Sequence, residues 1–353
     1  MIFEESTVMI VDDIVENIKV AMGHLQALHV KVVYATNGLQ ALERAEKTRP
    51  NLILMDVMMP QMGGFDTAKA LKQNPLLREI PIIFLTARAG VEDIKQGFEA
   101  GGVDYITKPF NGEELLMRVK THLELSLHRC HLETQVSKRT QEIELLKSSI
   151  IEAMGSLAEY RDGETGAHIK RTQHYVKIMC EHLALLPKYA DQITPKYTQL
   201  LFNSAPLHDV GKVGIRDHIL LKPGKLTPEE FEIMKQHAAF GEAIIDKLID
   251  INGPTDFLIY AKEITGGHHE KWDGSGYPRG LSGEDIPLSA RIMAIADVYD
   301  ALSSARVYKK AFSHQEAIAT MRKEAGKHFD PLLIDVFLHL EQEFLLIATT
   351  LKD

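Results

Sequence analysis

Residues 52–66 read LILMDVMMPQMGGFD, an unbroken apolar run that ends on Asp56. A strand buried on both faces reads in this way, because neither side of its pleat meets water. Working outward, the segments 8–11, 32–34, 82–85 and 104–107 have the same character and alternate with amphipathic helical stretches up to about Phe110. Alternation of strand and helix predicts a parallel sheet. Four chemical features fall where predicted strands end: Asp12 and Asp13 after the first, Asp56 after the third, Thr86 after the fourth and Lys108 after the fifth. In open parallel sheets ligands bind beyond the carboxyl ends of the strands. Three carboxylates gathered there would repel one another, and a divalent cation with oxygen ligands, Mg²⁺, is the natural neutraliser. A carboxylate beside that cation can attack a phosphoryl donor, with Lys108 and the Thr86 hydroxyl receiving the added charge.

This arrangement resembles the response-regulator receiver family, through VDD at 11–13, MDVMMPQMGGFD at 55–66, LTA at 85–87 and DYITKPF at 104–110. The resemblance covers roughly residues 5–123. It implies a doubly wound, flavodoxin-like α/β fold with a five-stranded parallel sheet. It also implies Asp56 as phosphoacceptor, Asp12 and Asp13 as its metal partners, Tyr105 as a switch aromatic, and a cognate histidine kinase as phosphodonor.

The remainder of the chain has a different texture. From about Glu113 it is helical almost throughout, and from about Ile151 helices alternate with Gly- and Pro-rich loops. Val136, Ile143, Ile150 and Leu157 recur every seven residues, with Leu132, Leu146 and Ala153 at intermediate seam positions and Arg139 interrupting. That spacing predicts a coiled-coil-like helix, and hence a homodimer. The expected organisation is a receiver domain over 1–123, a linker helix over 124–150 and an all-helical domain over 151–353. In the loop LLKPGKLTPEE, Thr227 is a predicted N-cap with Pro228 at the first helical position.

The helical part concentrates histidine. Glu164 and His168 are four residues apart, so one helix face carries both. His208 and Asp209 are adjacent with Lys212 one turn on, His237 ends a predicted helical run, His268 and His269 form a pair, and Asp297 lies in RIMAIADVYDAL. Imidazole and carboxylate without thiolate suit Fe, Mn or Zn, and the set exceeds what one ion needs, so two or three metals are expected. A close pair of cations suits phosphodiester hydrolysis, with Lys212 placed to neutralise charge on the phosphate. Taken singly, each of these residues is more often a core, surface or helix-pair residue; only jointly do they point to a site.

These positions resemble the HD-GYP family, the variant of HD-domain phosphohydrolases that acts on cyclic di-GMP. The matching stretches are RDGETGAHIKRT at 161–172, HDVGKVGIRD at 208–217, LLKPGKLTPEEFEIMKQH at 220–237 and HHEKWDGSGYPRGLSGEDIPLSARIMAIADVYDAL at 268–302. The resemblance implies Glu164, His168, His208, Asp209, His237, His268, His269 and Asp297 as ligands of iron or manganese. The presence of Glu164 favours three ions over two. It further implies Lys212 as a phosphate contact, substrate contacts from Gly276, Tyr277, Pro278, Asp300, Arg306 and Lys309, catalytic roles for Lys212, Asp209 and Asp297, and linear pGpG and then GMP as products. The Gly-Tyr-Pro loop is also a docking point for other signalling proteins in such a scheme. Two departures stand out: SARVYK at 304–309 replaces the family's SDRPYK, and Arg216 stands where Pro is usual. Two competing functions remain, a catalytically weak cyclic-di-GMP sensor or adaptor and an HD-type phosphohydrolase of another nucleotide.

Bulk properties exclude several classes. The chain has 353 residues, with 45% hydrophobic and 25% charged, the balance of a globular protein of about two domains. Lys and Arg total 40 against 49 Asp and Glu, a formal charge of -9, which disfavours nonspecific nucleic-acid binding. No apolar stretch reaches the roughly 18 residues of a spanning helix, so no membrane insertion is expected. With no basic, apolar leader and only Cys130 and Cys180, the expected location is the cytoplasm. The helix from about 113 through 157 leads from the receiver toward Glu164 and His168, which predicts that phosphorylation of Asp56 is transmitted along it.

Overall fold

In a computed structural model of the chain, residues 3–87, 90–162, 166–304 and 311–351 are described. The chain divides into two compact units, Met1–Gln141 and Glu142–Asp353, and the division falls inside a single helix.

The first unit runs β1 (Thr7–Val11), α1 (Val15–Leu25), β2 (Lys31–Ala35), α2 (Gly38–Thr48), β3 (Leu52–Asp56), α3 (Gly64–Gln73), β4 (Ile82–Thr86), α4 (Val91–Glu99), β5 (Asp104–Thr107) and the start of α5 (Gly112–Asp162). All neighbouring strands are parallel, in the order β2-β1-β3-β4-β5. Side chains alternate across the pleat. Val8, Ile10, Leu52 and Leu54 therefore enter a core closed by α1 and by Leu115, Val119 and Leu123 of α5. Met9, Val11, Ile53 and Met55 enter a second core with Ala41, Ala45, Ala68 and Leu71 of α2 and α3. Burial on both faces is why these strands are legible as unbroken apolar runs. The strand order reverses direction at β1, so the crevice between the ends of β1 and β3 is where a ligand site belongs.

The second unit is helical: the end of α5, then α6 (Gly166–Leu183), α7 (Pro195–Ser204), α8 (Asp217–Leu220), α9 (Pro228–Met234), α10 (Gln236–Asn252), α11 (Asp256–Gly267), α12 (Leu288–Ser303), α13 (His314–Lys323), α14 (Pro331–His339) and α15 (Glu341–Thr350). Helix starts follow local chemistry. Thr227 caps α9 in a capping box with Glu230, and Pro228 occupies the first turn, as the sequence predicts. Ser313 forms the same capping box with Glu316 at the start of α13, and the Thr194 and Thr255 side chains accept from backbone amides at the starts of α7 and α11. The core packs α6 against α12, α14 and α15. Its centre is aromatic, with Tyr175 stacked on Phe344 at 4.5 Å and Tyr299 edge-on to both.

One local expectation is overturned. His237 opens α10 rather than closing α9, because α9 stops at Met234 and the Met234 carbonyl accepts from His237 Nδ1. Along α5 the seam residues Leu132, Val136, Ile143, Leu146, Ile150, Ala153 and Leu157 are all exposed. Among the described residues no helix is long and apolar enough to cross a membrane.

Candidate metal centre and phosphoacceptor pocket

At the carboxyl end of the sheet, Asp12 and Asp56 are buried while Asp13 is exposed, and one oxygen from each lies within 4.8 Å of the others. The Ile14 amide and the Asn17 side chain donate to Asp12 and fix its carboxylate. Lys108 Nζ sits 2.6 Å from Asp12 Oδ2 and 2.8 Å from Asp56 Oδ1. Burial pushes the Asp56 carboxyl above its ordinary range, Lys108 pulls it back, and Asp12 and Asp13 push it up again. Burial likewise disfavours the Lys108 ammonium, but its hydrogen bonds to Asp12 and Asp56 outweigh that and hold its pKa above normal. Thr86 is buried at the end of β4, and Tyr105 lies on β5 with the Arg118 guanidinium 5.9 Å from its ring centre. Asp12, Asp13, Asp56 and Lys108 come together at the strand ends, with Thr86 closing the neighbouring strand and Tyr105 within β5.

In the second unit the sequence expectation places eight residues in one site; seven are described and Glu164 lies outside the described residues. Asp209, His237, His268 and His269 offer ligand atoms all within 4.8 Å of one another, as do His168, His208 and Asp297. Asp209 joins the two groups. Its Oδ2 is 3.3 Å from His208 Nε2 and its Oδ1 is 3.3 Å from His237 Nε2 and 3.7 Å from His268 Nε2.

The imidazoles are oriented from behind. His208 Nδ1 donates to the Ala205 carbonyl at 2.9 Å, His237 Nδ1 to Met234 at 2.7 Å and His268 Nδ1 to Ile264 at 2.9 Å. A carbonyl only accepts, so each of these Nδ1 atoms carries the hydrogen and each ring turns its Nε2 into the cluster, as a lone pair wherever the ring is neutral. Asp209 Oδ1, His237 Nε2 and His268 Nε2 are buried and have no hydrogen-bond partner among the described residues. Lone pairs facing one another in a buried space are costly unless a cation lies among them. The donor set therefore fits borderline divalent ions.

Burial opposes charge on Asp209, yet Lys212 (Nζ to Oδ2 2.8 Å) and His208 hold its carboxyl well below the usual range. Burial disfavours a charged His208, but Asp209, then Asp297 and Glu159, raise it to about 9. Burial lowers His237 to about 4. Lys212 stands on a 3-10 turn, Val210–Gly214, rather than one helical turn beyond His208.

Around the Gly-Tyr-Pro loop, the Tyr277 ring lies 4.8 Å from His269, and the Tyr277 amide donates to the His269 carbonyl at 3.2 Å. Gly276 has no room for a side chain: a Cβ there would stand 2.3 Å from Lys271 N and 2.6 Å from Glu270 C. Pro278 is exposed. Glu270, buried, accepts from the Arg279 and Leu281 amides at 2.7 and 3.0 Å and so pins the loop. The sequence reading missed this role, although Glu270 directly follows the histidine pair.

Asp300 requires a correction. The expected substrate contact is 1% exposed and committed elsewhere: Oδ2 accepts from His168 Nδ1 at 2.7 Å, and Arg171 grips both oxygens at 2.7 and 2.9 Å. Burial would raise its carboxyl, but His168 and Arg171 hold it below the normal range. Asp300 thus orients His168 as the carbonyls orient the other rings. Arg306 and Lys309 lie outside the described residues. Sequence reasoning also missed Glu159, buried on the last turn of α5 with Oε1 3.5 Å from His168 Nε2.

The response regulator receiver domain family matches residues 8–120, and the HD domain family matches residues 152–333. A Vibrio cholerae protein named as a probable cyclic di-GMP phosphodiesterase is 47% identical over 99% of this chain and 81% of its own length. RpfG of Xanthomonas campestris, named as a cyclic di-GMP phosphodiesterase response regulator, is 37% identical over 88% of this chain and 81% of its own. A second Vibrio cholerae protein, named as a 3'3'-cGAMP-specific phosphodiesterase, is 36% identical over 71% of this chain and 46% of its own. By these matches the chain belongs to the HD-domain family, in the form that joins the domain to an N-terminal response regulator receiver.

Proposed function

We propose that this chain is a metal-dependent cyclic di-GMP phosphodiesterase controlled by phosphorylation of Asp56. One observation carries the catalytic half: His208, His237 and His268 are locked by backbone carbonyls so that their Nε2 atoms converge on the two oxygens of Asp209. Two or three iron or manganese ions fit the donors His168, His208, Asp209, His237, His268, His269 and Asp297, with Glu164 as a further ligand in the three-ion form. Bound there, such ions supply a hydroxide at neutral pH and positive charge for the phosphoryl oxygens.

The protein's own groups do the remainder. Asp209 offers one oxygen to each ligand group and would be a ligand shared between them. Lys212, 2.8 Å from Asp209, offsets negative charge that grows on the phosphate. Tyr277, laid against His269, presents an aromatic face on which a purine stacks. Arg306 and Lys309 supply further positive charge to a doubly anionic substrate. In the receiver, Asp12, Asp13 and Asp56 would hold Mg²⁺, which would supply charge for phosphoryl transfer from a histidine kinase, with Lys108, Thr86 and Tyr105 as the groups that respond to the phosphate.

A parallel homodimer along α5 is part of the same proposal. The exposed residues Val136, Ile143 and Ile150 recur at a spacing of seven, with Leu132 before them and Leu146 between the last two, the β-branched and leucine pattern that two-stranded coiled coils favour. The test is anaerobic loading with Mn²⁺ or Fe²⁺ followed by chromatography of cyclic di-GMP digests. Linear pGpG or GMP is the expected product, and the rate is expected to change when beryllofluoride occupies Asp56 and not in Asp56→Asn. Tight nucleotide binding without turnover at full metal loading would leave a sensor instead. Similarity to a 3'3'-cGAMP-specific enzyme makes the mixed cyclic dinucleotide the comparison substrate.

The orienting role of Asp300 gives a quantitative expectation. Asp300→Asn is expected to weaken cation binding roughly 10- to 100-fold, the usual cost of losing a carboxylate behind a ligating imidazole. A Mn²⁺ binding isotherm checks it.

A further inference from the structure

We propose that Arg161, on the last turn of α5, is a positioning residue for Lys212. The proposal rests on the phosphodiesterase reading above and deepens it by naming what holds that ammonium in place.

Lys212 stands on the 3-10 turn Val210–Gly214, which directly follows His208 and Asp209. A lysine side chain is a flexible four-carbon stem, so its ammonium is only as well placed as the backbone beneath it. Toward α10 that backbone is fixed by close packing. A Cβ on Gly211 would meet the His237 carbonyl oxygen at 1.9 Å, and one on Gly214 would meet the Phe240 ring at 2.7 Å.

Helix α5 holds the same stretch at both of its ends. Upstream of His208, Gly155 of α5 lies so close to Pro206 that a Cβ would stand 2.5 Å from the Pro206 carbonyl oxygen. Ile151, one turn earlier, shares a buried cluster with Leu207. Downstream of Lys212, the Arg161 guanidinium donates to the Val213 carbonyl at 2.5 Å and to the Ile215 carbonyl at 3.1 Å. It also donates to Asp217 Oδ1 at 2.5 Å, and the Lys212 carbonyl lies at 3.5 Å.

One side chain thus takes up acceptors on both sides of Gly214. A guanidinium presents its donors in a rigid planar fork, so three acceptors bound together set the path of the chain. Beyond them Ile215 is buried with Ile219 and Leu220 of α8, which anchors the far end of the gripped segment. The Lys212 ammonium is delivered 2.8 Å from Asp209 Oδ2. The consequence is that the turn bearing Lys212 is tied to a helix that begins at Gly112, next to the receiver sheet. A rotation of the last turn of α5 moves Val213 and Ile215, and with them Lys212.

The experiment is a double-mutant cycle on the full, anaerobically Mn²⁺-loaded chain. It measures kcat, KM and bound Mn²⁺ for the parent, Arg161→Ala, Lys212→Ala and the two combined. Arg161→Ala is expected to lower kcat roughly 10- to 100-fold, the effect of displacing a catalytic group by about 1 Å, with KM and bound Mn²⁺ as in the parent. In the Lys212→Ala background the same change is expected to lower kcat by less than about twofold, because the group it positions is gone. An arginine that merely keeps the domain folded would act by the same factor in both backgrounds. That additivity would overturn the proposal, as would parent-like kcat or a loss of bound Mn²⁺ in Arg161→Ala. Should Arg161→Ala fail to fold, Arg161→Lys decides. Its single ammonium keeps the charge but cannot span the Val213 and Ile215 carbonyls and Asp217 together. A fall in kcat that vanishes in the Lys212→Ala background supports the proposal, and an unaltered kcat or an additive fall overturns it. A parent without turnover, or a Lys212→Ala protein as fast as the parent, defeats the wider reading and this proposal with it. A slow Lys212→Ala protein beside an absent or additive Arg161 effect defeats the role of Arg161 alone.

Discussion

Alanine at position 209 is expected to abolish hydrolysis of cyclic di-GMP, with a loss on the order of a thousandfold or more, several kcal/mol of transition-state stabilisation. The expectation follows from position. Oδ2 of Asp209 serves His208 and Lys212, while Oδ1 serves His237 and His268. No other described carboxylate offers its two oxygens to both ligand groups. Without Asp209, three imidazole nitrogens lose their shared negative partner and Lys212 loses the group that positions it. Metal content should fall together with the rate, which distinguishes loss of the centre from loss of a proton carrier. Elemental analysis of the anaerobically loaded Asp209→Ala protein, beside product chromatography, checks both. Wild-type turnover in that variant would remove Asp209 from the mechanism.

How much of this was legible in the sequence depends on the range of the interaction. The central strands were legible to within one residue because burial on both faces leaves an unbroken apolar run, as at Leu52–Asp56. Asp12, Asp56, Thr86 and Lys108 were legible because a parallel sheet delivers the ends of its strands to one edge, whatever the intervening loops do. The histidine positions stood out by residue type and by their motifs. What no local pattern carries is a partner far along the chain. Asp300 reads as one more acid in a helix that already contains Asp297, and only packing of α12 on α6 sets it against His168 and Arg171, about 130 residues away. Glu159 was hidden differently. It lies two residues beyond Leu157, the last seam position, and so reads as a polar residue of an exposed helix, yet it is buried. The break between α9 and α10 was missed because both halves have ordinary helical composition, and the interruption is made by the His237 ring taking the Met234 carbonyl.

The second large effect concerns a residue with no chemistry of its own. Gly211 lies between Asp209 and Lys212 in the 3-10 turn that passes across α10. A Cβ there would stand 1.9 Å from the His237 carbonyl oxygen and 2.4 Å from the Gly241 amide nitrogen. Both obstacles are backbone, and α10 is anchored in turn by Thr265 of α11, whose Cγ2 would stand 2.1 Å from a Cβ at Gly241. Relief therefore requires the turn and the helix to separate. Overpacking of a core commonly costs about 1–3 kcal/mol, and rigid backbone on both sides places Gly211→Ala at or above about 3 kcal/mol. For a unit of this size that lowers the melting temperature by about 6–12 °C. The same separation moves His237 away from Asp209, so cation binding should weaken even in protein that remains folded. Gly23→Ala is the internal comparison. A Cβ at that position in α1 meets nothing within 4 Å, and the gain in helix propensity, roughly 0.5–1 kcal/mol, should leave the melting temperature unchanged or raise it. Calorimetry therefore separates the two variants, with a lower melting temperature for Gly211→Ala and no lowering for Gly23→Ala. Equal melting of Gly211→Ala and the parent would mean that the turn does not press on α10 as closely as this geometry requires.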